Sequence, residues 1–241
     1  AGVRALQPGI ESLATSSLKL MHKGISAFQN IEFLKSCSAH PLRLDWNLLV
    51  FSPGEDEATY EKALRDIPLL AHLAPPSGAY PVGFVRFSRY FEDPDAYGLD
   101  LAPKAFYGFT FPFDEASVRN LAYHFNDDNA DTDYINSWLV RLNEAISAWT
   151  ERWLGADEKP QAQLCFASDD VTWAVYDSRS GNPLETEISD AEKEVLETLN
   201  RPQTLDQLKD TFGPDIDEMV RAFLSRLWLF EEDGCLLNLV T

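Results

Sequence analysis

"LQPGIESLATSSLKLMHKG", residues 6–24, decides how this chain is read. It reads as the end of a strand, a tight turn and the start of a helix, with Glu11 set in the strand. Thr15 or Ser16 can cap a short helix to about His22, which Gly24 then ends. Downstream, "ISAFQNIEFLKSCSAH" (25–40) puts Ala27, Phe28, Ile31, Leu34 and Cys37 at helical spacing, which predicts one apolar face. "LRLDWNLLVF" (42–51) has the apolar content of a strand, and "SPGEDE" turns out of it. A helix is predicted over "DEATYEKALRDI" (56–67), stopped by Pro68, and a further strand over "PVGFVRFSRYF" (81–91). Strand, helix, strand, helix, strand is the order of βαβ units with parallel strands.

From about residue 94 the chain becomes aromatic and loop-rich, then helical from about Glu115. "DDNADTD" (127–133) is an acidic break. Beyond it, "YINSWLVRLNEAISAWTERWL" predicts a long helix with Trp138, Leu142, Ile146 and Trp149 on one stripe, a core pattern. "QLCFASDDVTWAVYDSRSGNPLETEIS" (163–189) alternates like a hairpin. Ser189 and Glu192 form a capping box, two more helices follow, and "FEEDGCLLNLVT" closes with a turn and strand. Three helices and a terminal hairpin resemble a winged helix. From Ser189 to Thr241 there are twelve acidic residues and five basic ones, which argues against DNA and for a peptide-binding or structural role. The organisation expected is therefore residues 1–112, a helical connection over 113–160, and a C-terminal region over 161–241.

The whole chain carries a formal net charge of −19 over 241 residues, with 45% hydrophobic residues. A core is easily supplied, and the acid repels phosphate backbones and anionic membranes. The acid is read chiefly as a solubility coat. No apolar run approaches the roughly 20 residues of a membrane span. The opening residues lack the apolar stretch of a signal peptide. Cys37, Cys165 and Cys235 are scattered and odd in number, which points to a reducing, cytoplasmic setting without disulfides.

"GIESLATSSLKLMHKGISAFQNIEFLKSC", "LDWNLLVFSPGE", "VRFSRYFEDPDAYGL" and "FYGFTFPFDEASVRNLAYHF" occur in an order and spacing that resemble the second half of a radical S-adenosylmethionine barrel. The nearest resemblance is to cobalamin-dependent radical SAM enzymes that C-methylate ribosomally made peptides. It covers nearly the whole chain. The fold it implies is α/β: half of a TIM-type barrel with parallel strands, a helical region and a winged-helix-like domain. It also implies S-adenosylmethionine as cofactor, with Glu11 and Ser12 towards its ribose or amino-acid part, Asn47 on ribose hydroxyls and Gly54 beside adenine. Carboxylates suit vicinal hydroxyls or an ammonium, and glycine allows close backbone approach. Arg86, Ser88 and Tyr90 fall on the implied peptide-binding side. A precursor peptide is the implied substrate partner, and no catalytic residue is assigned.

The residues also bound the resemblance. An iron–sulfur cluster needs a CxxxCxxC loop, and no such loop occurs here. The cluster and the cobalamin would come from a preceding part or a second polypeptide. The family turn close to "YGFPGE" reads "VFSPGE" here, so Phe51 stands where glycine is expected. The family segment close to "LDRFSPYF" reads "FVRFSRYF", with Val85 for an acid and Arg89 for proline. These changes favour an alternative in which the chain is a non-catalytic barrel half that binds a peptide or protein. Glu11 could otherwise cap a helix or pair with Arg43 or Arg86. Unpaired edges of a half-barrel predict a completing polypeptide or a homodimer. His22, His72 and His124 with Glu92, Asp93 and Asp95 match no metal-site spacing, so no metal site is expected.

Overall fold

Strand and helix alternate through the opening third of the chain in the computed structural model, which describes residues 2–155, 161–169 and 171–241. The order is β1 (Ala5–Leu6), α1 (Thr15–Leu20), α2 (Ala27–Ser38), β2 (Arg43–Leu44), β3 (Leu48–Val50), α3 (Glu57–Asp66) and β4 (Ala79–Pro81). A 3-10 turn, Ile67–Leu70, extends α3. β1 pairs parallel with β2, and β3 pairs parallel with β4. Glu11 makes a single parallel bridge to Leu48, which links the two pairs.

Mixed α/β architecture is as expected, but a continuous half-cylinder is not what the strands form. Parallel pairing is confined to these short segments, and most of the sheet pairing is antiparallel. Local chemistry explains the brevity. Pro8 and Gly9 interrupt the strand after Leu6, Asp45–Asn47 separate β2 from β3, and Pro81 closes β4. The strand expected over 81–91 is instead the end of β4, then β5 (Phe84–Val85) and a helical turn, α4 (Arg89–Glu92). α1 begins at Thr15, one residue after Ala14, which offers no side-chain cap, and ends two residues before His22.

The aromatic region carries a sheet that its composition did not announce. β6 (Leu101–Pro103) and β7 (His124–Asp127) join β5 in the antiparallel order β5-β7-β6, with α5 (Phe106–Thr110) and α6 (Glu115–Leu121) between β6 and β7. Leu101, Tyr107, Val118, Ala122 and Phe125 form a small core of their own. That core draws on both sides of residue 112, where a boundary was expected.

α7 (Thr132–Leu154) is the long helix predicted, capped by Asp131, with Trp138, Leu142, Ile146 and Trp149 buried. Trp149 meets Trp46 edge-on at 6.2 Å and donates its indole N–H to the Leu73 carbonyl. The region read as a hairpin has three antiparallel strands, β8 (Leu164–Ser168), β9 (Trp173–Asp177) and β10 (Leu184–Ile188). Then come α8 (Asp190–Thr198), β11 (Gln203–Thr204), α9 (Leu205–Phe212), α10 (Ile216–Ser225), β12 (Leu229–Glu232) and β13 (Cys235–Asn238). The last three strands form an antiparallel sheet in the order β11-β13-β12. The capping box at Ser189 and Glu192 is present. One large apolar core runs from Ile10 and Trp46 through α7 to Phe223, Phe230 and Leu237. No helix among the described residues is long and apolar enough to cross a membrane.

The two margins of the parallel segments differ. Leu48 N donates to Gly78 O at 2.9 Å and Val82 N to Val50 O at 2.8 Å, so Ala79 and Pro81 turn their backbone groups outward. There the Asn143 side chain of α7 binds both groups of Ala79, accepting from its N–H at 2.9 Å and donating to its carbonyl at 3.2 Å. Pro81 has no N–H to offer. At the other margin, Arg43 N donates to Arg4 O and Asp45 N to Leu6 O, both at 3.0 Å. Ala5 therefore faces outward, and it is exposed.

Candidate functional site

Glu11, Ser12 and Gly54 lie beyond the carboxyl ends of the parallel segments, whereas Asn47 precedes β3. Glu11 has φ of 58°, a left-handed conformation that costs a residue with a Cβ about 1–2 kcal/mol. The strain is held by neighbours. Leu49 N donates to Glu11 O at 2.7 Å, and buried Asn30 of α2 donates to the carbonyls of Ile10 (2.9 Å) and Ser12 (2.8 Å). The Glu11 carboxylate keeps 24% exposure and pairs with Lys23 Nζ at 3.1 Å. Its partner is thus Lys23, not Arg43 or Arg86. Gly9 leaves space for that pair, since a Cβ on Gly9 would sit 3.2 Å from the ammonium.

Ser12 is buried, and its hydroxyl accepts from Ala14 N at 3.1 Å. That bond closes its own turn. Asn47 is half-buried, immediately before β3. Gly54 has φ of 85°, and an added Cβ would touch only Leu20, at 3.6 Å.

Glu55 organises the turn after β3, and sequence reading assigned it no role of its own. Its carboxylate accepts from Ser52 N at 3.2 Å, from the Tyr60 hydroxyl at 2.9 Å and from the Ser17 hydroxyl. Tyr60 in turn accepts from Phe51 N at 3.1 Å. Burial first, then the Glu55 carboxylate, pushes the Tyr60 phenol far above its ordinary range. A cavity of about 20 Å³, the size of one water, lies beneath this turn against Ser12, Glu55 and Tyr60. The signal for Glu55 was the S-P-G-E turn itself, with an acid able to fold back onto its own backbone.

Phe51 also has a left-handed backbone, φ 61°. Its ring lies 4.8 Å from Tyr60 and 6.0 Å from Tyr134. It walls a cavity of about 240 Å³ with Pro81, Phe84, Tyr97 and Ile135. That cavity shares Phe84, Asp127 and Ile135 with an open cleft of about 500 Å³ between the end of β4, β7 and α7.

Of the three expected peptide-side residues, only Tyr90 joins this neighbourhood. Its ring packs edge-on against Phe84 (5.6 Å) and Tyr97 (4.9 Å). Burial chiefly raises its phenol, and the neighbouring Tyr97 phenol and Glu55 carboxylate add to that. Arg86 is occupied elsewhere. Its Nε donates to Ala122 O at 2.6 Å, another nitrogen donates to Arg119 O, and the guanidinium lies 4.7 Å from the Phe91 ring centre. Ser88 caps α4, accepting from Phe91 N at 3.3 Å.

Among the described residues no three His, Cys, Asp or Glu side chains converge as a metal site. His72 is buried, donates to Leu239 O at 3.0 Å, and is held by burial down to about 3. Cys37 and Cys165 are free thiols raised by burial.

S-adenosylmethionine fits these residues only in part. Glu11, paired with Lys23, and the open face of Gly54 lie at the carboxyl ends, whereas Asn47 precedes β3, the Ser12 hydroxyl is bonded within its own turn and the Phe51 ring walls the neighbouring cavity. No protein-family model, no curated protein and no solved structure matches the chain.

Proposed function

We propose that this chain is the carboxy-terminal part of a radical SAM enzyme that C-methylates a ribosomally made peptide. In this reading the parallel segments belong to one side of its barrel, and the C-terminal helices with β11, β12 and β13 make a winged-helix-like domain. The observation that carries the reading is the backbone at residue 51. The resembled turn has glycine there, and this chain keeps the left-handed conformation that glycine takes without strain, although it holds phenylalanine. A position that keeps a glycine's geometry after losing the glycine is what descent from that turn would leave.

The chain's part in such a reaction is positioning, with Glu11 and Asn47 facing the cofactor and the cleft beside Phe84 and Ile135 on the peptide side. No reaction step is assigned to its own residues. The cluster and cobalamin are supplied by another segment, in a cytoplasmic setting. The partner strand adds at Ala5, the outward-facing margin, because Asn143 and Pro81 close the other.

A second reading has its own observation. The Phe51 ring and the engaged Ser12 hydroxyl favour a non-catalytic barrel half that binds a peptide or protein partner.

Anaerobic co-expression with the polypeptide encoded directly upstream separates the two. The first predicts iron and sulfide in the complex, and 5′-deoxyadenosine formation that Glu11→Ala lowers at least tenfold. A stable complex that contains iron but forms no 5′-deoxyadenosine supports the second. Absence of both complex and iron contradicts the first.

A further inference from the structure

The cap of α1 comes from the far end of the chain. Thr15 N donates to Glu232 Oε1 at 3.0 Å, and the Thr15 hydroxyl donates to Glu232 Oε2. The same hydroxyl accepts from Ala27 N, the first N–H of α2, at 3.0 Å. Glu232 therefore satisfies α1 directly and α2 through Thr15. α2 carries Asn30, whose amide holds the Ile10 and Ser12 carbonyls on either side of Glu11. One buried carboxylate on β12 is thus joined, through four residues, to the strained backbone of Glu11.

Glu232 stands in for a local cap of α1. Lys62 is 3.8 Å from Glu232 and is shared with Asp66, so two acids divide one ammonium. Ala14 brings no side-chain cap. An undocked β12 would leave the Thr15 amide and hydroxyl without their acceptor, a cost of about 1–3 kcal/mol for each buried group, while α2 keeps its own capping box between Ser26 and Gln29.

We propose that Glu232 is a positioning residue: docking of the C-terminal sheet through its carboxylate sets the geometry of the Glu11 turn. The regulation this implies rests on the reading that the turn faces S-adenosylmethionine, whereas the coupling itself does not. A partner that displaces β12 would loosen the Glu11 side of the site.

Hydrogen exchange on the intact chain tests the coupling without any ligand. In Glu232→Ala the amides of Thr15 and Ala27 lose protection at least tenfold. Leu49, which donates to Glu11 O, loses it at least threefold, while the β12–β13 amides keep theirs. Should Glu232→Ala unfold, Thr15→Val removes the relay hydroxyl while Thr15 N and Lys62 stay beside the Glu232 carboxylate, and Ala27 and Leu49 respond in the same way. Unchanged Leu49 protection in a folded variant that has lost Thr15 or Ala27 protection overturns the proposal. Titration of the same variants with S-adenosylmethionine addresses the functional reading separately. Altered exchange with no binding in the parent chain leaves the coupling standing and removes the regulation.

Discussion

At residue 51 the backbone has the conformation of a glycine and the sequence supplies phenylalanine. Phe51→Gly releases about 1–2 kcal/mol of left-handed strain, while it forfeits a half-buried ring and gains unfolded-state freedom of about 0.4–1 kcal/mol. The variant is expected within about 1 kcal/mol of the parent in urea denaturation; a loss above about 3 kcal/mol would make Phe51 an ordinary core residue. His72 gives a pH prediction with a definite sign. Its folded value is about 3, lowered chiefly by burial and then by Arg179, against an ordinary 6.5. Below pH 6.5 the unfolded chain takes up a proton that the folded chain refuses, so stability falls as pH drops from about 6.5 towards 3. Stability measured at pH 7.5 and pH 5 should differ more in the parent than in His72→Gln. Sequence reading found Glu11 as an oddity in a strand. Lys23 was not legible as its partner, because residues twelve apart meet only through the turn and helix α1 between them.

Elements were legible where their signals are local. The stripe on α7 and the capping box at Ser189 each depend on residues within a few positions, and both stand as read. The cap of α1 was not legible, because its acceptor lies 217 residues away. Strand lengths were overestimated for a related reason: apolar content does not say where a proline or a side chain ends pairing. Asn143 illustrates this, a polar residue on an amphipathic helix whose purpose shows only against Ala79, 64 residues earlier. Asn143→Ala strands a backbone N–H and carbonyl at that margin, which costs about 1–3 kcal/mol. Chemical denaturation should show that loss, together with faster exchange of the Ala79 amide. Unchanged exchange at Ala79 would mean that the margin is closed by something other than Asn143.

Across the whole molecule, mixed α/β character was readable from alternating periodicities. The division into one large core and a small aromatic one was not, because composition does not reveal which aromatics face each other. Arg179 ties distant parts of the large core together. It is buried, pairs with Asp177 at 2.6 Å, and donates to Leu69 O at 2.7 Å and Leu227 O at 2.8 Å. Arg179→Met leaves Asp177 and two carbonyls without their donor, a loss of about 3–5 kcal/mol in guanidinium denaturation; a shift under about 1 kcal/mol would show that the parts hold together without it. The proposed radical SAM ancestry requires the carboxyl ends of the parallel segments to form half of a cofactor site. Amide chemical shifts of the labelled chain, titrated with S-adenosylmethionine, address that directly. Saturable shifts confined to Ile10–Ser12 and Asn47–Gly54, abolished by Glu11→Ala, are expected. Shifts concentrated in the C-terminal sheet, or none at millimolar ligand, would contradict that ancestry.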